Sequence, residues 1–239
     1  MNQSIDEITV GKIVVADFRT AGVFEQFGID FCCGGRQSVA EACEAAAVDP
    51  EVVVEALRAL PPADAHDDGD VTRWPLDRLI DHIVTTHHTY VRSALPTIAR
   101  HLSKLIRVHG GRHRELAWIA ASFDELGRDL LQHMVKEERI LFPYIRAIAA
   151  RDVNHRPALP FESVENPIRV MEQEHREAGD AMRLIRGMTD GYTPPADGCM
   201  TYRVCFEEMA AFERDLHRHV HLEENVLFPA ALARQGATR

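Results

Sequence analysis

One eleven-residue pattern is written twice in the chain, as HMVKEERILFP at 133–143 and as HVHLEENVLFP at 219–229. Both copies reduce to His-x-x-x-Glu-Glu-x-x-Leu-Phe-Pro. Around the first, Leu126, Leu130, His133, Glu137 and Leu141 follow a three-four spacing; around the second, Phe212, Leu216, His219, Glu223 and Leu227 do the same. On a helix each set forms one face, so each His and Glu interrupts a stripe that otherwise turns to the core. A buried glutamate without a partner costs several kcal/mol and tends to protonate. A metal ion removes that cost by taking both the carboxylate and the neutral imidazole. Residues four apart are neighbours, which makes His133/Glu137 and His219/Glu223 candidate chelating pairs. For a single H-x-x-x-E an intrahelical hydrogen bond is the ordinary explanation. Two copies on apolar stripes, with one shared ending, favour the metal.

The rest of the chain supplies the other helices. Strand signals are sparse, and the punctuation by Gly, Pro, Asn and Asp divides it into helical stretches. Residues 1–60 read as a small domain of short helices around the loop GIDFCCGG, with Asp49-Pro50 starting the last of them. The acidic, breaker-rich segment at 61–74 reads as a linker. From 75 to 239 four long helices are expected, at about 76–108, 112–150, 167–188 and 199–233, with kinks or breaks at Pro96 and Pro143. The fold class is all-α, a small helical domain followed by an up-down-up-down four-helix bundle.

Antiparallel hairpins place histidines at one level. Gly110-Gly111 lies midway between His88 and His133, and His155 near the midpoint of His133 and His175. The midpoint of His175 and His219 falls in the PPADG break, where the levelling fits less neatly. Each hairpin thus offers one His from its first helix and His plus Glu from its second. Four imidazoles and two carboxylates suit two first-row ions, with iron preferred over zinc and manganese chemically open. His87 points about 100° away from His88. His82, His217 and His221 are less well placed, and His66, His101, His109, His113 and His155 are expected at the surface. Glu172 and His175 form the E-x-x-H of ferritin-like sites, but the second copy such sites need is missing. Glu174 and Asp129 are either acids supporting the site or part of a solvated face.

Composition narrows the remainder. A net charge of -10 speaks against a nucleic-acid partner. No apolar run approaches the ~18 residues of a membrane span, and the N-terminus lacks the pattern of an export signal, so export is not expected. Five cysteines without C-x-x-C give neither a disulfide framework nor a zinc site. Cys32 and Cys33 precede Gly34-Gly35 at what reads as the start of a helix, where backbone amides would favour thiolate. A buried pair beside turn glycines is the alternative. Cys43, Cys199 and Cys205 are expected to be structural.

Taken together, DFCCGG at 30–35, the two repeats and the EQEH between them resemble the Repair of Iron Centres family, of the YtfE/ScdA/NorA type. The resemblance covers about Val10 to Leu232. It implies a cysteine-bearing N-terminal domain before a hemerythrin-like di-iron bundle, with two iron ions held by His88, His133, Glu137, His175, His219 and Glu223, the set that spacing also reaches. It implies a cytoplasmic stress protein that helps restore iron–sulfur clusters damaged by nitric oxide or oxidants, with damaged iron–sulfur proteins as partners and nitric oxide or oxygen as small ligands. Iron donation, nitric oxide binding and nitric oxide reduction all fit such a centre. For Cys32 and Cys33 it implies a redox, nitric-oxide-related or iron-handling role. Whether the chain forms a homodimer stays open.

Overall fold

A computed structural model describes residues 7–61, 71–150 and 163–236. Apart from one isolated β-bridge, Thr9 to Ser38, every regular element among them is helical, so the chain is all-α. Most of the acidic segment, and the turn RDVNHRPALP, lie outside the described residues. The chain groups into two compact units, one formed by residues up to Leu79 together with those from Val220 onward, the other by Ile80–His219.

In the first unit, α1 (Val10–Ala16), α2 (Thr20–Gln26), α3 (Val39–Ala46) and α4 (Pro50–Arg58) enclose Val10, Phe24, Phe31, Val39, Cys43 and Val53. Helix α4 starts as expected, with the Asp49 carboxylate accepting from the Glu51 amide at 2.9 Å and Pro50 in the first turn. Helix α3 starts later than expected. Ser38 caps it, with Glu41 reaching back to the Ser38 amide, so the helix begins at Val39 rather than beside Cys33. The reciprocal Ser–Glu cap outweighs the helix propensity of the residues before it.

Also in this unit, α1 packs on the turn Glu223–Leu227, whose Asn225 donates to the Cys32 carbonyl at 3.0 Å. Two glycines permit that approach. A Cβ on Gly35 would fall 2.4 Å from Asn225 Oδ1 and 2.8 Å from the Phe31 carbonyl oxygen, and one on Gly11 would fall 2.3 Å from the same amide oxygen. Gly35→Ala is therefore expected to destabilise the protein by about 1–3 kcal/mol through overpacking, read as a lower urea midpoint at unchanged slope. Gly22→Ala, with nothing within 4 Å of its Cβ, is the neutral control.

The second unit is built on α6 (Thr89–His109), α7 (Glu115–Lys136), α9 (Glu165–Met188) and the part of α10 (Met200–Leu222) up to His219. Cross-helix contacts show the antiparallel order. Lys104 bonds Thr201 while His101 bonds Glu208, and Arg186 bonds Glu213 at 2.9 Å while His175 stands beside His219 with ring centroids 6.5 Å apart. Pro96 does not break α6. Val91, Leu95 and Ile98 are buried around it, and that packing offsets the roughly 3 kcal/mol an interior proline costs.

Helices α7 and α10 carry π turns where the repeats end, at Glu137–Leu141 and Glu223–Leu227, followed by α8 (Phe142–Ala149) and α11 (Phe228–Gly236). The Phe142 amide donates to the Glu137 carbonyl five residues back, and Phe228 does the same to Glu223. Pro143 and Pro229 explain the shared register: each lacks an N–H and pushes its ring at the carbonyl four residues earlier, which a wider turn relieves. A third π turn, Ile83–His88, joins α5 (Leu76–His82) to α6. All three hold residues singled out from the repeats and the hairpin levelling.

Candidate metal centre

His88, His133, His175 and His219 lie at one level and are at most 2% exposed. Their Nε2 atoms pair off, His88 with His219 at 3.1 Å and His175 with His133 at 3.0 Å. Glu137, fully buried, stands between the pairs. One carboxylate oxygen is 3.4 Å from His88 Nε2 and the other 3.3 Å from His133 Nε2. The donor atoms of His88, Glu137 and His219 lie within 4.8 Å of one another, as do those of His133, Glu137 and His175. Glu223 is fully buried one turn after His219 on the same helical run, and stands to it in sequence as Glu137 stands to His133.

The donor set fits metal ions. Two nitrogens each about 2.1 Å from one ion, at a right angle, lie about 3.0 Å apart, the separation of both imidazole pairs. The outer nitrogens of His88 and His133 are already committed. His88 Nδ1 faces Glu138 at 2.7 Å, and Arg92 holds the same Glu138 oxygen at 2.8 Å. His133 Nδ1 faces Glu174 at 2.9 Å, which also binds Lys136. A carboxylate on Nδ1 fixes the tautomer that turns the Nε2 lone pair to the centre. The His133 contact holds Glu174 down at about 2, with help from Lys136 and against burial. Burial opposes charge on His133, but Glu137 and Glu174 outweigh it and lift the metal-free imidazole to about 9.

Glu138 was missed in the sequence although its signal was there, since both repeats carry two glutamates. Glu174 falls on the supporting side of the two alternatives left for it. Its replacement in Glu174→Gln is expected to weaken metal binding by roughly 10–100-fold, measured by competition with a chromophoric chelator, because His133 loses the group that orients it. Asp129 lines an open cleft of about 410 Å³ that reaches His133, together with Glu125, Glu174, Glu177 and Lys136.

Several histidines depart from expectation. His87 is buried rather than turned away, because the π turn brings both neighbours inside; its Nδ1 meets Asp215 at 2.9 Å and its ring stacks on His219 at 5.7 Å. His109 and His221 are buried as well.

In the first unit, Cys32 and Cys33 sit in a turn organised by Asp30, whose carboxylate accepts both cysteine amides at 3.0 Å. The carboxylate and two thiols lie within 4.8 Å of one another. The expected thiolate-favouring helix start is absent. Instead Cys33, burial and Asp30 push the Cys32 thiol well above its ordinary range. Cys43 and Cys205 are buried, in keeping with a structural part, while Cys199 is exposed.

Buried imidazoles and carboxylates meeting at one level of a helical bundle define a hemerythrin-like cation-binding protein, and residues 79–231 match the hemerythrin HHE cation binding domain model. Residues 6–61 match the ScdA_N domain, a domain of unknown function. The chain is 36% identical over 226 residues to the iron-sulfur cluster repair protein YtfE of Musicola paradisiaca (strain Ech703), covering 95% of this chain and 96% of that protein. It is 34% identical over 224 residues to the protein of the same name from Salmonella newport (strain SL254), covering 94% and 96%. The chain belongs to the Repair of Iron Centres family.

Proposed function

We propose that the chain holds two iron ions between His88, His133, Glu137, His175, His219 and Glu223, and that it works in the cytoplasm to repair iron–sulfur clusters damaged by nitrosative or oxidative stress. The observation that carries the reading is the Glu137 carboxylate, which turns one oxygen to each histidine pair. One carboxylate serving two imidazole pairs is what a pair of ions requires and a single ion does not. Relatives matching along nearly the whole chain bear the name iron-sulfur cluster repair protein, which supports the biological role. When bound, the ions would supply exchangeable iron and positions for a small ligand. The chain's own part is to orient His88 and His133 through Glu138 and Glu174, and to keep the donors dry between the helices. No helix among the described residues is long and apolar enough to cross a membrane.

The test is transfer of iron-57 from the loaded chain to a [4Fe–4S] protein damaged by nitric oxide. Recovery of the client with labelled iron, abolished in Glu137→Ala and Glu223→Ala, is expected. Full transfer by both variants would overturn the site and the role together. The cleft reaching His133 favours a second reading, in which the centre takes up nitric oxide or oxygen. Exposure of the diferrous protein to nitric oxide divides this reading: nitrous oxide identifies a reductase, and quantitative release of nitric oxide a carrier or sensor.

A further inference from the structure

In the first unit, residues 30–33 form a tight turn closed by one carboxylate oxygen. Asp30 Oδ1 accepts the Cys32 and Cys33 amides, each at 3.0 Å, and the Cys32 thiol donates to it at 3.2 Å. An aspartate that bonds the backbone two residues on makes such a turn. Adjacent side chains on a strand point to opposite faces, but here the turn brings both sulfurs and the carboxylate within 4.8 Å of one another. The neighbouring residues hold that arrangement. A Cβ on Gly34 would fall 2.5 Å from the Asp30 carbonyl oxygen, so glycine lets the turn close. The Asn225 side chain, itself 3.2 Å from His221 Nδ1, donates to the Cys32 carbonyl at 3.0 Å.

Turn formation accounts for the amide contacts, which engage a single oxygen, but not for two thiols gathered on the same carboxylate. A metal ion accounts for both. Two sulfurs each about 2.3 Å from one ion, at a tetrahedral angle, lie about 3.8 Å apart, and a carboxylate oxygen about 2.1 Å from that ion completes a set that fits the 4.8 Å span. Thiolates select zinc-like ions over magnesium or calcium. Cys32 is buried, Cys33 half-buried and Asp30 exposed, so the cluster lies at the surface of the unit. Three ligands from one turn leave a fourth tetrahedral position open, whereas a structural zinc site closes all four. The lack of C-x-x-C speaks against a closed site and leaves this open one untouched.

We propose that Asp30, Cys32 and Cys33 form an exchangeable site for one thiophilic divalent ion, of the zinc or ferrous class. On binding, each thiol releases its proton to solvent, and the ion takes the place of the thiol proton between Cys32 and Asp30. No electron is transferred. The site shares no residue with the centre of imidazoles and carboxylates, so its test neither assumes nor challenges that assignment.

The test titrates cobalt(II) into the full-length iron-loaded chain, reduced and then freed of reductant without air. Thiolate-to-cobalt charge transfer is the readout, because a centre of imidazoles and carboxylates cannot produce it. The bands are expected to saturate at about one cobalt per chain. Zinc should abolish them by displacement, and ferrous iron should do so only in excess. Cys32→Ser and Cys33→Ser should each lose most of the intensity; Cys33, being half-buried, is the replacement that disturbs packing least. Asp30→Asn keeps an oxygen for the two amides but loses the charge. It should weaken binding by more than the roughly 10–100-fold that loss of a supporting group costs. Cys199→Ser, which removes the exposed thiol, should change nothing. Absence of charge transfer in the unaltered chain, bands that persist in a folded Cys33→Ser, unchanged affinity in Asp30→Asn, or bands that vanish in Cys199→Ser would each overturn the proposal.

Discussion

Glu137→Ala is expected to leave the chain unable to hold two ions, reducing bound iron from about two per chain to one or fewer. Glu137 is fully buried, and each of its oxygens serves a different imidazole pair, so one truncation removes a donor from both. The loss should exceed the roughly 10–100-fold expected of Glu174→Gln, which disturbs only the orientation of His133. Glu137→Gln separates charge from shape. It keeps the volume and one oxygen, and is expected to bind one ion weakly. Iron analysis after gel filtration reads all three proteins.

Removing metal from the parent chain is the second large effect. Without ions, buried imidazoles and carboxylates face one another in a core otherwise made of Leu130, Met134, Phe142 and Phe212. Loading at a free concentration ~1,000 times the dissociation constant stabilises by about 4 kcal/mol. At roughly 2–4 °C per kcal/mol for a chain of this size, chelation should lower Tm by about 10 °C. The effect has a pH signature. His133 in the metal-free protein sits at about 9, above its ordinary value of 6.5, so its stabilising charge is fully present below 6.5 and is lost as pH rises to 9. Metal binding needs the neutral imidazole and must displace that proton. Between about pH 6.5 and 9, therefore, the metal-free chain should weaken while metal affinity rises roughly tenfold per pH unit. Calorimetric unfolding with and without chelator measures both trends.

Much of this centre was legible in the sequence because its chemistry follows helix period. His133/Glu137 and His219/Glu223 are one turn apart, and the Gly110-Gly111 turn is enough to set His88 level with His133. Other features depend on partners distant along the chain. Nothing local to His88 indicates that its Nδ1 meets Glu138, or near His133 that Glu174 supports it. Both contacts depend on how the helices rotate against each other. The π turns were hidden in a different way: Pro143 signalled a disturbance, but widening and kinking both relieve the same clash, and Pro229 was passed over inside the last helix. At Ile83–His88, where no proline stands, there was no signal, and the burial of His87 came as a departure. At Pro96 the helix runs on unbroken among the apolar residues packed around it. His109 resembled a surface histidine because it ends a helix before two glycines, and only the neighbouring Tyr202 reveals its burial.

The central claim is that the chain holds a pair of iron ions. Mössbauer spectroscopy with metal analysis, on protein produced in iron-57 medium and purified without chelators, tests it most directly. About two irons per chain in a magnetically coupled site is the predicted result. An absence of iron, or one zinc per chain, would contradict the account and leave the twice-written repeat as architecture alone.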